Sequence, residues 1–157
     1  MNRTAATLAL FAILAGACGD DGPSRDESGR VTHPQSVAVS RLLTGDCFND
    51  PDADQVGDIR VVEVVPCEQP HDTEIYHSFT LTEGARPGDD ALEELAAGQC
   101  FPAFDAFVGI EFEISEMDLF LLTPSAEQWD DGHRTLHCDL FKLDLSELVG
   151  SARGTAR

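Results

Sequence analysis

Six stretches of the chain carry a readable hydrophobic pattern. "SVAVSRLLTGDCF", residues 36–48, reads as an initial strand that ends at a Gly-Asp turn. "IRVVEVVPC", residues 59–67, is rich in β-branched residues and is stopped by Pro66, which marks a strand. "DTEIYHSFTL", residues 72–81, alternates polar and apolar and is expected to pair beside it. After the loop "EGARPGDD", Leu92, Leu95, Ala96, Cys100, Phe104 and Phe107 follow helical spacing. Asp89 or Asp90 reads as the cap of this helix, with Glu93 and Glu94 in its first turn. Pro102 predicts a kink or a break into two. "FEISEMDLFLLTP" alternates toward another strand, and "SAEQW" reads as a short turn capped by Ser125. "RTLHCDLFKLD" is the closing strand. The expected fold class is α+β: a small antiparallel sheet with one main helix packed on one face and two disulfides.

The first residues have a different pattern. "MNRTAATLALFAILAGAC" has one positive side chain, Arg3, then an apolar run from Ala5 to Leu14, small residues and Cys18. That is the layout of a secretory signal, and it is too short for a permanent membrane span. "AGAC" resembles a lipobox, so residues 1–18 are read as a lipoprotein signal peptide and Cys18 as the lipidated N-terminus. Residues 19–36 are nearly devoid of apolar side chains and are read as a disordered acidic tether. Residues 37–150 then form a single domain, and 151–157 a flexible tail.

Charge narrows the partners. The chain of 157 residues has 10 Lys and Arg against 29 Asp and Glu, a formal charge of -19. Nucleic acid and anionic bilayer faces repel such a protein. The expected partners are the membrane, through the lipid on Cys18, and an envelope or division protein. The expected location is the extracytoplasmic face of the cell membrane, and no cofactor is implied.

With Cys18 set aside, Cys47, Cys67, Cys100 and Cys138 remain. An even set in a small exported domain reads as two disulfides. Of three connectivities, Cys47–Cys67 and Cys100–Cys138 is favoured, because each pair joins neighbouring elements of the expected fold. The competing chemistry is zinc, held by Cys67 with His71 and by Cys138 with His133, His137 lying adjacent. Zinc would leave Cys47 and Cys100 unpaired in an oxidising compartment, so no metal is expected.

Three further features carry candidate chemistry. His71 stands between Pro70 and Asp72 and could be an oriented base, but its simpler role is to cap the turn after Cys67. Asp50, Asp52 and Asp54 are spaced like the start of an EF-hand loop, yet Gln55 stands where Gly is needed and Val61 where a bidentate Glu belongs. In "WDDGHR", Arg134 is expected to tie a turn by packing on Trp129 and clamping Asp130 or Asp131, with a ligand-facing role as the alternative.

"GDCF" (45–48), "VVEVVPCEQPHDTEIYHSF" (61–79), a helix bearing Cys100, "TPSAEQWDDGHRTLHCDLF" (123–141) and "GSARG" (150–154) together resemble the septum-formation family of actinobacterial membrane proteins and lipoproteins. The shared pattern is a GDC turn, a V-x-C-x-x-P-H segment and a W-x-x-G-[DH]-R-x-x-x-C segment. His133 departs from it, since an acid usually precedes that Arg. The resemblance implies an extracytoplasmic domain linked with cell division and no known catalytic residues. The expected function is a non-enzymatic, membrane-tethered interaction module for septum formation or envelope assembly. The alternative is an envelope hydrolase or a small-ligand receptor in which His71, His133, His137 and Arg134 converge in one cleft.

Overall fold

A computed structural model of the chain describes residues 22–49, 59–82 and 84–157. Cys18 and the acidic loop with Asp50, Asp52 and Asp54 lie outside the described residues. Six strands make one antiparallel sheet: β1 (Gln35–Ala38), β2 (Cys47–Asn49), β3 (Val61–Val65), β4 (Thr73–Thr80), β5 (Met117–Leu122) and β6 (Thr135–Lys142). Their order is β1-β3-β2-β4-β6-β5. The expected β3–β4 neighbours are therefore separated by β2, which pairs with both. Three residues at Cys47–Asn49 suffice for this, because the turn at Thr44–Gly45 folds the chain back between the longer strands.

One long helix, α1 (Asp89–Val108), covers one sheet face. Its buried stripe of Leu92, Ala96, Cys100, Phe104, Phe107 and Val108 recurs every three or four residues, as a helix facing a core requires. Phe104 meets the Tyr76 ring edge-on at 5.6 Å, and the Tyr76 hydroxyl donates to the Cys100 carbonyl at 3.2 Å. Two expectations change here. Gly88, not Asp89 or Asp90, occupies the cap, and both acids sit inside the first turn, where they face the positive end of the helix dipole. Helix α1 also runs through Pro102 as one element instead of dividing into two. It stops at Gly109, whose φ of 89° is the left-handed conformation glycine adopts without a Cβ clash.

The short helix α2 (Ala126–Asp130) has the anticipated cap: the Ser125 side chain accepts from the Gln128 N–H, and the Gln128 side chain accepts from the Ser125 N–H. Both disulfides form in the favoured pairing. Cys47–Cys67 links β2 to the turn after β3, and Cys100–Cys138 links α1 to β6.

Both presumed loose ends are parts of the fold. Within the stretch 19–36, read from the sequence as a tether, residues 25 and 31 form a β-bridge and β1 begins at Gln35. Arg25 reaches Asp46 with two bonds of 2.6 and 2.7 Å, and Asp46 is 2% exposed. A segment with little apolar surface can thus be ordered by one buried ion pair and a bridge. The presumed flexible tail, 151–157, packs across α1. Ala152 is buried, Gly154 and Ala156 donate to the Phe107 and Val108 carbonyls, and the Arg153 guanidinium lies 4.1 Å from the Phe107 ring centre.

Candidate functional site

Strand alternation assigns each residue of the sheet to one of two faces. Cys47, Glu74 and Leu140 are in register across β2, β4 and β6, and Cys138 and Leu140 face α1. The intervening residues point the other way: Phe48 beside Thr73, Asp139 beside Phe120, and Phe141 beside Asp118. Among the described residues this second face is covered only in part, by the short 3₁₀ turn Val39–Arg41 and Leu42.

The uncovered part is a groove of about 450 Å³. Phe48, Leu122, Phe120 and Phe141 give it an apolar wall, while Asp139 and Asp72 place carboxylates in it. Asp139 is 2% exposed, whereas Phe120 is 52% exposed, so the groove has an acidic floor and an open aromatic rim. Leu145 stands at its mouth, 79% exposed and held at φ 58°. A leucine in this left-handed region costs about 1–2 kcal/mol. The strand along the groove, β5, ends the sheet, so its outer backbone groups have no neighbouring strand among the described residues.

The residues singled out from the sequence lie elsewhere. His71 is fully buried and bridges to Leu148 through both backbone groups. Its Nδ1 is 2.8 Å from the Gln69 carbonyl, which can only accept, so Nδ1 carries the proton. This is the turn-capping role. The buried Nε2 has no hydrogen-bond partner. Arg134 sits at the far end of β4, which its carbonyl joins through the Leu81 N–H. Eight residues of extended strand, about 26 Å, separate that end from His71, so the two cannot act on one small group. His133 and Asp131 are exposed on the turn after α2. His137 is buried and contacts the Ser78 hydroxyl at 2.8 Å, and burial lowers its pKa below the ordinary imidazole value. The cleft expected for a hydrolase or small-ligand receptor is thus not assembled from His71, His133, His137 and Arg134.

Arg134 is a structural tie. Its guanidinium lies 4.0 Å from the centre of the Trp129 ring and donates to the Trp129 and His133 carbonyls. Trp129 in turn donates from Nε1 to the Gly84 carbonyl at 3.0 Å. One guanidinium therefore fixes the turn between α2 and β6. Arg134→Lys keeps the charge but loses the planar fork, and is expected to cost about 1–2 kcal/mol. Thermal unfolding should show the midpoint falling by several degrees.

The zinc reading also fails on pairing, since Cys67 and Cys138 belong to different disulfides. A Glu74 carboxylate oxygen and the sulfurs of Cys47 and Cys67 lie within 4.8 Å of one another, but the disulfide removes both thiolates as metal ligands. No helix among the described residues is long and apolar enough to cross a membrane.

Residues 44–157 match the family described as septum formation. The chain belongs to the septum-formation family. The match supports a role related to septum formation, and it covers all of the domain from the turn before β2 to the C-terminus. No curated protein and no solved structure matches the chain. The Arg25–Asp46 pair crosses the boundary of the match, tying a segment outside the family region to the GDC turn inside it. This septum-formation protein carries its groove residues on β2, β4, β5 and β6 and on the segments around Asp72 and Leu145, all within the matched region.

Proposed function

We propose that the chain is a non-enzymatic interaction module, held at the extracytoplasmic face of the membrane by lipid on Cys18. Its partner is a division or envelope protein that docks an extended, basic and apolar segment in the groove beside β5. The observation that carries this reading is the groove itself: an exposed Phe120 and a half-buried Phe141 beside the buried acid Asp139 on the sheet face away from α1. A segment added at the edge of β5 would satisfy that strand's outer backbone groups, with alternate side chains entering the groove. Asp139 and Asp72 outnumber Lys142 in the lining and so favour Lys or Arg among those side chains, and the charge of -19 favours a basic partner at long range. Leu145, exposed and in a strained conformation at the mouth, fits a contact that repays its strain on binding.

The anchor reading rests on the sequence of residues 1–18. Two or three acyl chains at Cys18 give the stable attachment that a single chain does not.

Localisation in dividing cells tests the proposal. A fluorescent fusion of the wild type is expected at the septum and in the membrane fraction. Phe120→Glu should spread over the whole envelope while its melting temperature stays within a few degrees of wild type, and Cys18→Ser should leave the membrane fraction. Septal recruitment of Phe120→Glu at the wild-type level would refute the docking site. Retention of Cys18→Ser in the membrane would refute the anchor.

A further inference from the structure

The two disulfides have different surroundings. Cys100 and Cys138 are 1% and 0% exposed inside the core between α1 and the sheet. Cys47–Cys67 lines a cavity of about 530 Å³ on the helix side of the sheet, beside the N-terminal segment and the C-terminal tail. Cys47 is fully buried, but Cys67 is partly exposed. Glu74 pairs directly across from Cys47, lines the same cavity, and brings a carboxylate oxygen within 4.8 Å of both sulfurs. Ser151 Oγ and the Ala152 N–H donate to its two oxygens at 2.6 and 2.8 Å, fixing the carboxyl in place. Arg30, Glu68 and Arg153 also line the cavity; Arg30 is paired with Glu68 at 3.8 Å and with Asp26 at 3.1 Å, which leaves Arg153 as the cation that favours an incoming thiolate.

We infer that Cys47–Cys67 is an exchangeable disulfide that oxidises a dithiol of a partner protein stoichiometrically, with Glu74 as the proton donor to Cys47. This goes beyond the docking module, uses the opposite sheet face, and involves no turnover. The partner thiolate attacks Cys67 Sγ, the sulfur on the more exposed residue, and forms a mixed disulfide. The Cys47–Cys67 bond breaks, its electron pair goes to Cys47 Sγ, and that sulfur takes the Glu74 proton. The partner's second thiolate then attacks the partner's own sulfur in the mixed disulfide. Cys67 leaves as a thiolate and is protonated from solvent, which also reprotonates Glu74. The partner dithiol ends as a disulfide, and Cys47 and Cys67 end as thiols.

Two features suit this chemistry. Burial raises the Glu74 pKa, outweighing the Ser151 and Ala152 bonds and the opposing pull of the nearby His71 and Arg153, so the carboxyl holds a proton at higher pH than an ordinary glutamate. The bridge also spans two segments already aligned by the β2–β3 ladder, from Cys47↔Val65 to Asn49↔Glu63. Opening it leaves that ladder to hold the strands together.

The test treats the full-length protein in detergent with dithiothreitol across pH 5–8, quenches with acid, alkylates, and maps the four cysteines by mass spectrometry. Cys47 and Cys67 should open together about a hundredfold faster than Cys100 and Cys138, with far-UV circular dichroism unchanged. Glu74→Gln should slow that opening by about tenfold. In the wild type the rate per reagent thiolate should fall as pH rises through the Glu74 titration, and Glu74→Gln should be flat. Ser151→Ala, which deletes a bond to the carboxylate, should move the wild-type profile to higher pH. Equal opening of both disulfides, or opening only with loss of structure, would overturn the exchange. A pH profile unchanged in Glu74→Gln, or in Ser151→Ala where the Gln variant does not fold, would overturn the role of Glu74.

Discussion

Replacing Cys100 and Cys138 together by alanine should lower the free energy of unfolding by about 4 kcal/mol. The bridge closes a loop with a sequence separation of 38, and the loss of that closure from the unfolded chain sets most of the figure. The native side adds to it. Cys138 contributes to the cluster that includes Tyr76, Phe104, Phe107 and Leu140, and the bridge fixes α1 over β6. Alanine avoids burying unpaired hydroxyls where serine would introduce them. Single domains have about 5–15 kcal/mol in total, so the variant loses a large fraction of its stability. Urea unfolding followed by far-UV circular dichroism gives the number. A loss under about 1 kcal/mol would show that packing between α1 and the sheet holds without the covalent link.

The second large effect belongs to Arg25. Its guanidinium makes a bidentate pair with Asp46, which is buried, receives the Leu43 N–H at 2.8 Å, and adjoins the disulfide at Cys47. Arg25→Ala leaves a buried carboxylate without its counter-charge, which typically costs about 3–5 kcal/mol. The hydrogen bonds to Asp46, helped by its charge and opposed by burial, raise the Arg25 pKa above the ordinary guanidinium value. Adding Asp46→Ala should recover part of the loss, because the second change removes the stranded charge. Urea midpoints of the two single variants and the double variant complete the cycle. Losses that simply add would mean that the two residues act independently.

Much of the fold was legible in the pattern of residues. The β-branched run at Val61–Val65, the alternation along Thr73–Thr80, the helical spacing from Leu92 to Phe107, the Ser125 cap and the disulfide pairing all describe short-range or covalent constraints. What was missed depends on distant partners. Arg25 sits in a segment whose composition reads as unstructured, and nothing local announces that it will meet Asp46. Ala152 and Gly154 carry no hydrophobic period, yet they fit against α1 because small residues allow the chain to approach it. The insertion of β2 between β3 and β4 is likewise a matter of pairing that a three-residue strand does not signal.

The groove was hidden for a related reason. β5 reads "MDLFLL", apolar on both faces, so its sequence does not say which face is covered. Only the position of α1 leaves Phe120 outside. The histidines and Arg134 are chemically rich, but β4 keeps His71 and Arg134 at opposite ends.

The docking claim is tested most directly by photo-crosslinking in dividing cells. A photoreactive phenylalanine analogue is placed at Phe120, on the groove rim, or at Phe101, 40% exposed on α1, as the comparison site. Crosslinks to a division or envelope protein that form from position 120, are absent from position 101, and disappear when Leu145→Asp is added are the predicted result. No crosslink from position 120, or crosslinks confined to position 101, would contradict it.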